Sequence, residues 1–121
     1  MKIPAAVIFV ALTSAAAFGQ ENASSSRQTT APGNAENGRK LYTQYGCYQC
    51  HGREAQGGPA GPRIGPNPLT LPAFIRYVRA PRGEMPPYTE KLVKGDQDFA
   101  DIHAFLSSRA APPPASQLPP R

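Results

Sequence analysis

At 121 residues, with 13 Lys and Arg against 8 Asp and Glu, the chain carries a formal charge of +5 and has room for one small domain. It holds 15 Pro, 11 Gly, 2 Cys and no Trp. Without a Lys-rich run or an aromatic-interleaved basic stripe it is not a nucleic-acid binder, and a positive balance of this kind suits an acidic protein surface instead.

The N-terminus predicts an export signal over residues 1–19. Met1-Lys2 gives a minimal positive start, Ile3 to Phe18 is almost wholly apolar or small, and Ala17-Phe18-Gly19 offers the small residues a signal peptidase reads. Cleavage after Ala17 is the near alternative. The apolar run is shorter than the roughly 20 residues a membrane span requires, so no stable anchor is expected. Residues 20–33 are polar and rich in Ser and Thr, which predicts a flexible linker. Residues 110–121, of Ala, Pro and polar side chains, predict a disordered tail. The foldable remainder, 34–109, is about 75 residues, a short length for a core made of side chains alone.

That domain opens on Asn34, a predicted N-cap, with Glu36 placing negative charge in the first turn. Ala35, Gly38, Leu41, Tyr42 and Tyr45 recur at helical spacing until Gly46 ends the helix. Gly38 in mid-helix costs about 1 kcal/mol against Ala, which predicts close approach of another helix. Cys47-Tyr48-Gln49-Cys50-His51 follows at once. C-x-x-C-H is the pattern of c-type haem attachment. Two intervening residues let both thiols reach neighbouring vinyl groups of one porphyrin edge, and His51 is then held where a neutral imidazole nitrogen can serve as an iron ligand. A redox disulfide or half of a zinc site would also use a C-x-x-C pair. Against zinc, the only other histidine is His103 and there is no third cysteine; against a thioredoxin-like fold, the motif lacks flanking Val- and Ile-rich strands.

From Gly52 to Pro72 no period is visible, and Gly57-Gly58-Pro59, Gly61-Pro62 and Gly65-Pro66-Asn67-Pro68 mark a long loop. A loop this long in a compact domain is usually disordered or functional; a third explanation is that it wraps a cofactor and packs against the ring instead of against other elements. Leu71-Pro72 opens a second helix with Phe74, Ile75, Tyr77 and Val78 on its apolar side and Pro81 closing it. Arg76, Arg79 and Arg82 recur at three-residue steps and predict a basic ridge, either solvated or facing a propionate or a partner. Met85, the only methionine besides Met1, lies in Glu84-Met85-Pro86-Pro87-Tyr88, a Pro-braced segment unlike a helix core. A thioether on the iron opposite His51 would raise the reduction potential and suit electron transfer. Asp96 is the predicted cap of a last helix, with Asp98 in its first turn and Phe99, Ile102, His103, Phe105 and Leu106 along one side.

This order of parts, carried by Cys47-Tyr48-Gln49-Cys50-His51 and Met85-Pro86-Pro87-Tyr88, resembles class I monohaem cytochrome c, of bacterial exported type, over about Ala35 to Ser108. The resemblance implies an all-α fold: a small cytochrome c domain of about three core helices, with long loops wrapped around one covalent haem c. The first and last helices would cross closely, Gly38 and Tyr42 meeting Phe105 and Leu106. Cys47 and Cys50 would attach the haem, with His51 and Met85 as axial ligands. Gly61-Pro62 would set the Pro62 carbonyl against the other nitrogen of His51, and Arg63 would reach a propionate. The lysines are too few for a mitochondrial-type lysine ring, which leaves Arg76, Arg79 and Arg82 as candidates for docking.

The implied function is one-electron transfer in the periplasm rather than enzymatic catalysis, as a soluble carrier or as a small haem subunit of a periplasmic oxidoreductase. The redox partners expected are a periplasmic dehydrogenase or cytochrome complex and a terminal oxidase or reductase, with no nucleic acid. The alternative, an open-site haem enzyme or gas-binding haem protein, needs Met85 off the iron and a nearby acid or base, for which His103 and Glu84 are the candidates.

Overall fold

Four α-helices and no strand make up residues 30–117, the part of the chain that the computed structural model describes. They are α1 (Ala35–Gln44), α2 (Tyr48–His51), α3 (Leu71–Arg79) and α4 (Gln97–Ser107), and a 3₁₀ turn, Ala115–Gln117, follows. The all-α expectation holds. The export signal over 1–19, the start of the linker to residue 29 and the last four residues of the tail lie outside the described residues. Among those described, no helix is long and apolar enough to cross a membrane.

Local signals set the helix ends. The Asn34 side chain accepts from the Asn37 N–H at 3.0 Å, and Gly46, at φ +76°, turns the chain out of α1. α3 has Pro72 in its first turn and stops ahead of Pro81. Asp96 does occupy the N-cap position of α4, but its side chain caps nothing; the carboxylate bonds to Arg79 at 2.9 Å. An arginine offers a charge-assisted bond that outcompetes a backbone N–H. α2, a single turn, was not separately visible in the sequence.

α1 crosses α4 with almost no space between backbones. A Cβ on Gly38 would stand 1.9 Å from the Asp101 carbonyl oxygen, and one on Gly33 would stand 2.1 Å from that of Ala100. The expected crossing is therefore present but shifted: Gly38 meets Asp101 and Ile102, and Tyr42 packs against Phe105 with ring centroids 5.1 Å apart and planes tilted by 49°. Tyr42, Val93, Phe99, Ile102, Phe105 and Leu106 form the buried core.

Asp101, buried in this crossing, was missed by periodicity. Its carboxylate accepts from the Asn34 N–H (2.9 Å), Asn37 Nδ2 (2.7 Å) and Gln97 Nε2 (3.1 Å). Burial pushes its carboxyl up, yet the three hydrogen bonds outweigh that and hold it below the ordinary 3.8. Gln97 also accepts from the Ala31 N–H at 2.8 Å. The last residues of the predicted flexible linker thus pack on α4, because Gly33 lets the backbone come close enough to bond.

Two outcomes are expected. Gly38→Ala drives a methyl into the Asp101 carbonyl, and neither helix can yield locally; the haem-loaded protein should lose about 3 kcal/mol, the upper end for overpacking, read from urea midpoints. A carboxylate held below its unfolded pKa stabilises above that value, and the contribution fades as pH falls through the folded value. Asp101→Asn should therefore cost about 1–3 kcal/mol at neutral pH and flatten the loss of stability below about pH 4. Urea titrations across that range check it, and an acid limb as steep as the native one would contradict the role.

Candidate cofactor site

α1 leads into the C-x-x-C-H motif within one turn. The Cys47 N–H donates to Tyr42 O and the His51 N–H to Cys47 O, both at 3.1 Å, which winds the motif into α2. Cys47 is half-buried, Cys50 is exposed, and no disulfide joins them. Burial pushes the Cys47 thiol up, offset in part by the Tyr88 hydroxyl 3.9 Å away. His51 is buried, and its Nδ1 lies 2.7 Å from the Pro62 carbonyl oxygen. A carbonyl can only accept, so Nδ1 carries the proton and Nε2 keeps a lone pair.

The loop reaches the imidazole because of its glycines. A Cβ on Gly61 would sit 3.0 Å from Cys50 O and 3.1 Å from the imidazole Cε1 and Nδ1. Gly57, at φ +87°, accepts the same constraint: a Cβ there would meet Arg63 N at 2.6 Å. Ala55 is fully buried at φ +57°, and its carbonyl accepts from the N–H groups of Ile64 (3.1 Å) and Gly65 (3.2 Å). The loop is thus held by its own bonds as well as by whatever it encloses, which the absence of periodicity concealed.

Two cavities meet at this motif. The first, of about 240 Å³, has Tyr42, Tyr45, Phe74, Val78, Phe99 and Ile102 in its wall. The second, of about 630 Å³, passes Pro62, Arg63, Leu69, Tyr77, Arg82 and Glu84. Cys50, His51, Ile64, Phe74, Val78, Met85 and Leu106 belong to both walls. Among the described residues no buried side-chain N or O lacks a hydrogen-bond partner. The space therefore asks for an apolar body rather than a polar one. Two thiols, an imidazole lone pair, a thioether and aromatic walls fit a haem. They do not fit a closed zinc site, since no group of three or more His, Cys, Asp and Glu among the described residues could hold a metal ion.

The predicted residues Cys47, Cys50, His51 and Met85 are brought to the first cavity, and Pro62 and Arg63 to the second. His103 is in neither wall; it packs on Phe74, and its Nε2 lies 2.8 Å from Leu69 O. The basic ridge is broken. Arg76 and Arg82 are exposed, but the Arg79 side chain is only 16% exposed and turns inward to Tyr88, Val93, Gly95 and Asp96. The tyrosine network was also missed. Tyr42 donates to Gly52 O (2.7 Å), Tyr88 to Tyr45 O (2.8 Å) and Tyr45 to Asp98 (2.5 Å). Burial, with the Asp98 carboxylate adding to it, pushes the Tyr45 hydroxyl up to about 12; burial, then Cys47, raises Tyr42 and Tyr88. All three remain neutral donors. In the sequence Tyr42 and Tyr45 show only helical spacing, which reads as core, and Tyr88 shows only its place at the end of the Pro-braced Met85 segment.

Comparison with known proteins gives two matches. The family model described as cytochrome c oxidase, cbb3-type, subunit III matches residues 33–106. The menaquinol:cytochrome c reductase cytochrome c subunit of Bacillus subtilis (strain 168) is 33% identical over 79 residues, which is 64% of this chain and 29% of that protein. The chain thus spans under a third of that relative's length. No solved structure matches.

Proposed function

The chain belongs to the cytochrome c family of the cbb3-type subunit III model, and from that premise we propose that it transfers single electrons on one covalently attached haem c. Cys47 and Cys50 are the attachment residues, and His51 and Met85 the axial ligands. One observation carries this reading: the His51 Nδ1 to Pro62 O contact of 2.7 Å commits the ring proton to one nitrogen. The other nitrogen keeps its lone pair, in a wall that also presents Met85. When bound, the haem would supply one-electron exchange, with His51 and Met85 as the residues that would hold its iron.

The side chains account for the rest. Pro62 fixes the ring orientation of His51 and raises its basicity. Met85, a weak thioether donor, favours the higher potential of a carrier. Phe74, Val78, Phe99, Ile102 and Leu106 limit water access and keep the local dielectric low. Arg63, in the second cavity's wall, would pair with a propionate in this reading.

Residues 34–109 are the haem domain in this reading, and 1–19 a cleaved signal that sends the protein to the periplasm. The N-terminal pattern supports this, as does a cysteine pair reserved for one motif. The relative's name places that protein in a menaquinol:cytochrome c reductase. It supports redox partners of the same kind here: a dehydrogenase or quinol-linked cytochrome complex as donor, and a terminal oxidase or reductase as acceptor. The protein acts as a carrier or as a small haem subunit of such a complex.

The test is the absorption spectrum of the exported protein, oxidised and then reduced, with carbon monoxide added last. The expected result is a low-spin c-type spectrum that resists acid extraction of haem, a sulfur-to-iron band when oxidised, and no response to carbon monoxide. Met85→Ala should abolish that band, admit carbon monoxide and lower the reduction potential. Prompt carbon monoxide binding by the native protein, with no sulfur band, would instead establish an open-site haem protein.

A further inference from the structure

Arg79 is the last residue of α3, and its guanidinium is almost entirely committed. Nη1 donates to Tyr88 O (2.9 Å) and Val93 O (2.8 Å), and Nη2 donates to Gly95 O and Asp96 Oδ1 (both 2.9 Å). Glu90 adds an ion pair at 2.9 Å. The Phe99 ring centroid lies 4.6 Å from the guanidinium carbon, closing the remaining face. An arginine turned inward to three backbone carbonyls is not an ordinary surface charge.

The three carbonyls belong to residues 80–96, which form neither helix nor strand. The Tyr88 N–H donates to Val78 O at 2.9 Å. Both backbone groups of Tyr88 are therefore tied to the last turn of α3, one to Val78 and one to Arg79. Residues 80–87, between these ties, carry Met85. They make a loop that starts at Arg79 and is closed by the Arg79 side chain. Pro81, Pro86 and Pro87 stiffen it. Beyond Tyr88 the same guanidinium holds Val93, a buried core residue, and Asp96, the start of α4.

We propose that Arg79 is the positioning residue for Met85: it clips segment 80–96 onto α3, and this keeps the thioether at the cavity wall. The inference rests on Met85 being the axial ligand, as argued above. The fork is what matters, since Lys supplies the charge but cannot reach two pairs of acceptors in one plane.

The experiment uses the haem-loaded full-length protein with Arg79→Lys or Arg79→Gln. The sulfur-to-iron band and carbon monoxide uptake report on Met85, and far-ultraviolet ellipticity reports on the helices. Both variants should retain covalent haem and native helix content. The gap between the urea midpoint of the band and that of the helices should widen relative to native, and reduced variants should take up carbon monoxide at least about tenfold faster. An unchanged gap with unchanged uptake overturns the inference. So does failure of both variants to yield haem-loaded protein, because a clip confined to 80–96 leaves Cys47, Cys50 and His51 in place. A native protein without a sulfur band overturns the axial reading and this inference together. A native band with unaffected variants overturns this inference alone.

Discussion

The distance between α1 and α4 is set by an absent methyl group. Only hydrogen at Gly38 allows the Asp101 carbonyl to come as near as it does, and Gly33 does the same opposite Ala100. The closeness acts in both directions along α4. Toward its start, Asp101 comes within reach of Asn34 and Asn37, and Gln97 of Ala31. Toward its end, Tyr42 packs against Phe105. Because α1 runs into Cys47 within a turn, the crossing also decides where His51 is presented. Phe99, Ile102 and Leu106, all on α4, are walls of the first cavity, so one contact fixes both the fold and one side of the site.

The cavity explains how so short a chain can hold together. Much of the apolar surface that a larger domain would bury against itself here faces the space beside His51 and Met85. Exposed to water, such surface forgoes about 25 cal/mol per Å². A bound apolar ring recovers that term and, by binding only the folded chain, stabilises it. The loop from Gly52 is prepared for this by bonds of its own. The Ala55 carbonyl gathers Ile64 and Gly65, the Gly57 N–H returns to His51 O at 2.8 Å, and Glu54 is shared by Arg39 and Arg109. Those arginines lower the Glu54 carboxyl, Arg109 chiefly and Arg39 next.

What the sequence revealed was local, and what it hid was long-range. Asn34 and Gly46 bound α1, and Pro72 and Pro81 bracket α3, because caps and prolines act within a few residues. The Gly61-Pro62 step pointed to the partner of His51 only through the family resemblance, and the structure has that contact at 2.7 Å. Asp101 could not be foretold. An aspartate in an amphipathic helix reads as outward, and only donors arriving from Asn34 and Asn37 turn it into a core group. Arg76 and Arg79 look equivalent at a three-residue step, but 3.6 residues per turn rotates the second by about 60° from the first. That rotation carries Arg79 onto Phe99 and leaves Arg76 in solvent. Asp96 was misread as a side-chain cap for the same reason: its partner is 17 positions away.

The same inward turns change what the net charge means. Arg79 is neutralised by Glu90 and Asp96, Arg39 and Arg109 share Glu54, and Lys40 pairs with Glu36. Arg109 and Arg79 are also laid on Phe105 and Phe99. Among the described residues Arg53, Arg63, Arg76, Arg82, Lys91 and Lys94 enter no ion pair, and of these Arg63 and Arg82 line the second cavity. The exposed side chains of Leu69 and Tyr77 line the same cavity. Unpaired charge governs long-range steering and apolar contact governs how long an encounter lasts. Counting lysines and arginines along the chain spreads the charge over the whole molecule, whereas the ion pairs leave Arg63 and Arg82, together with Glu84, in the wall that also includes His51 and Met85.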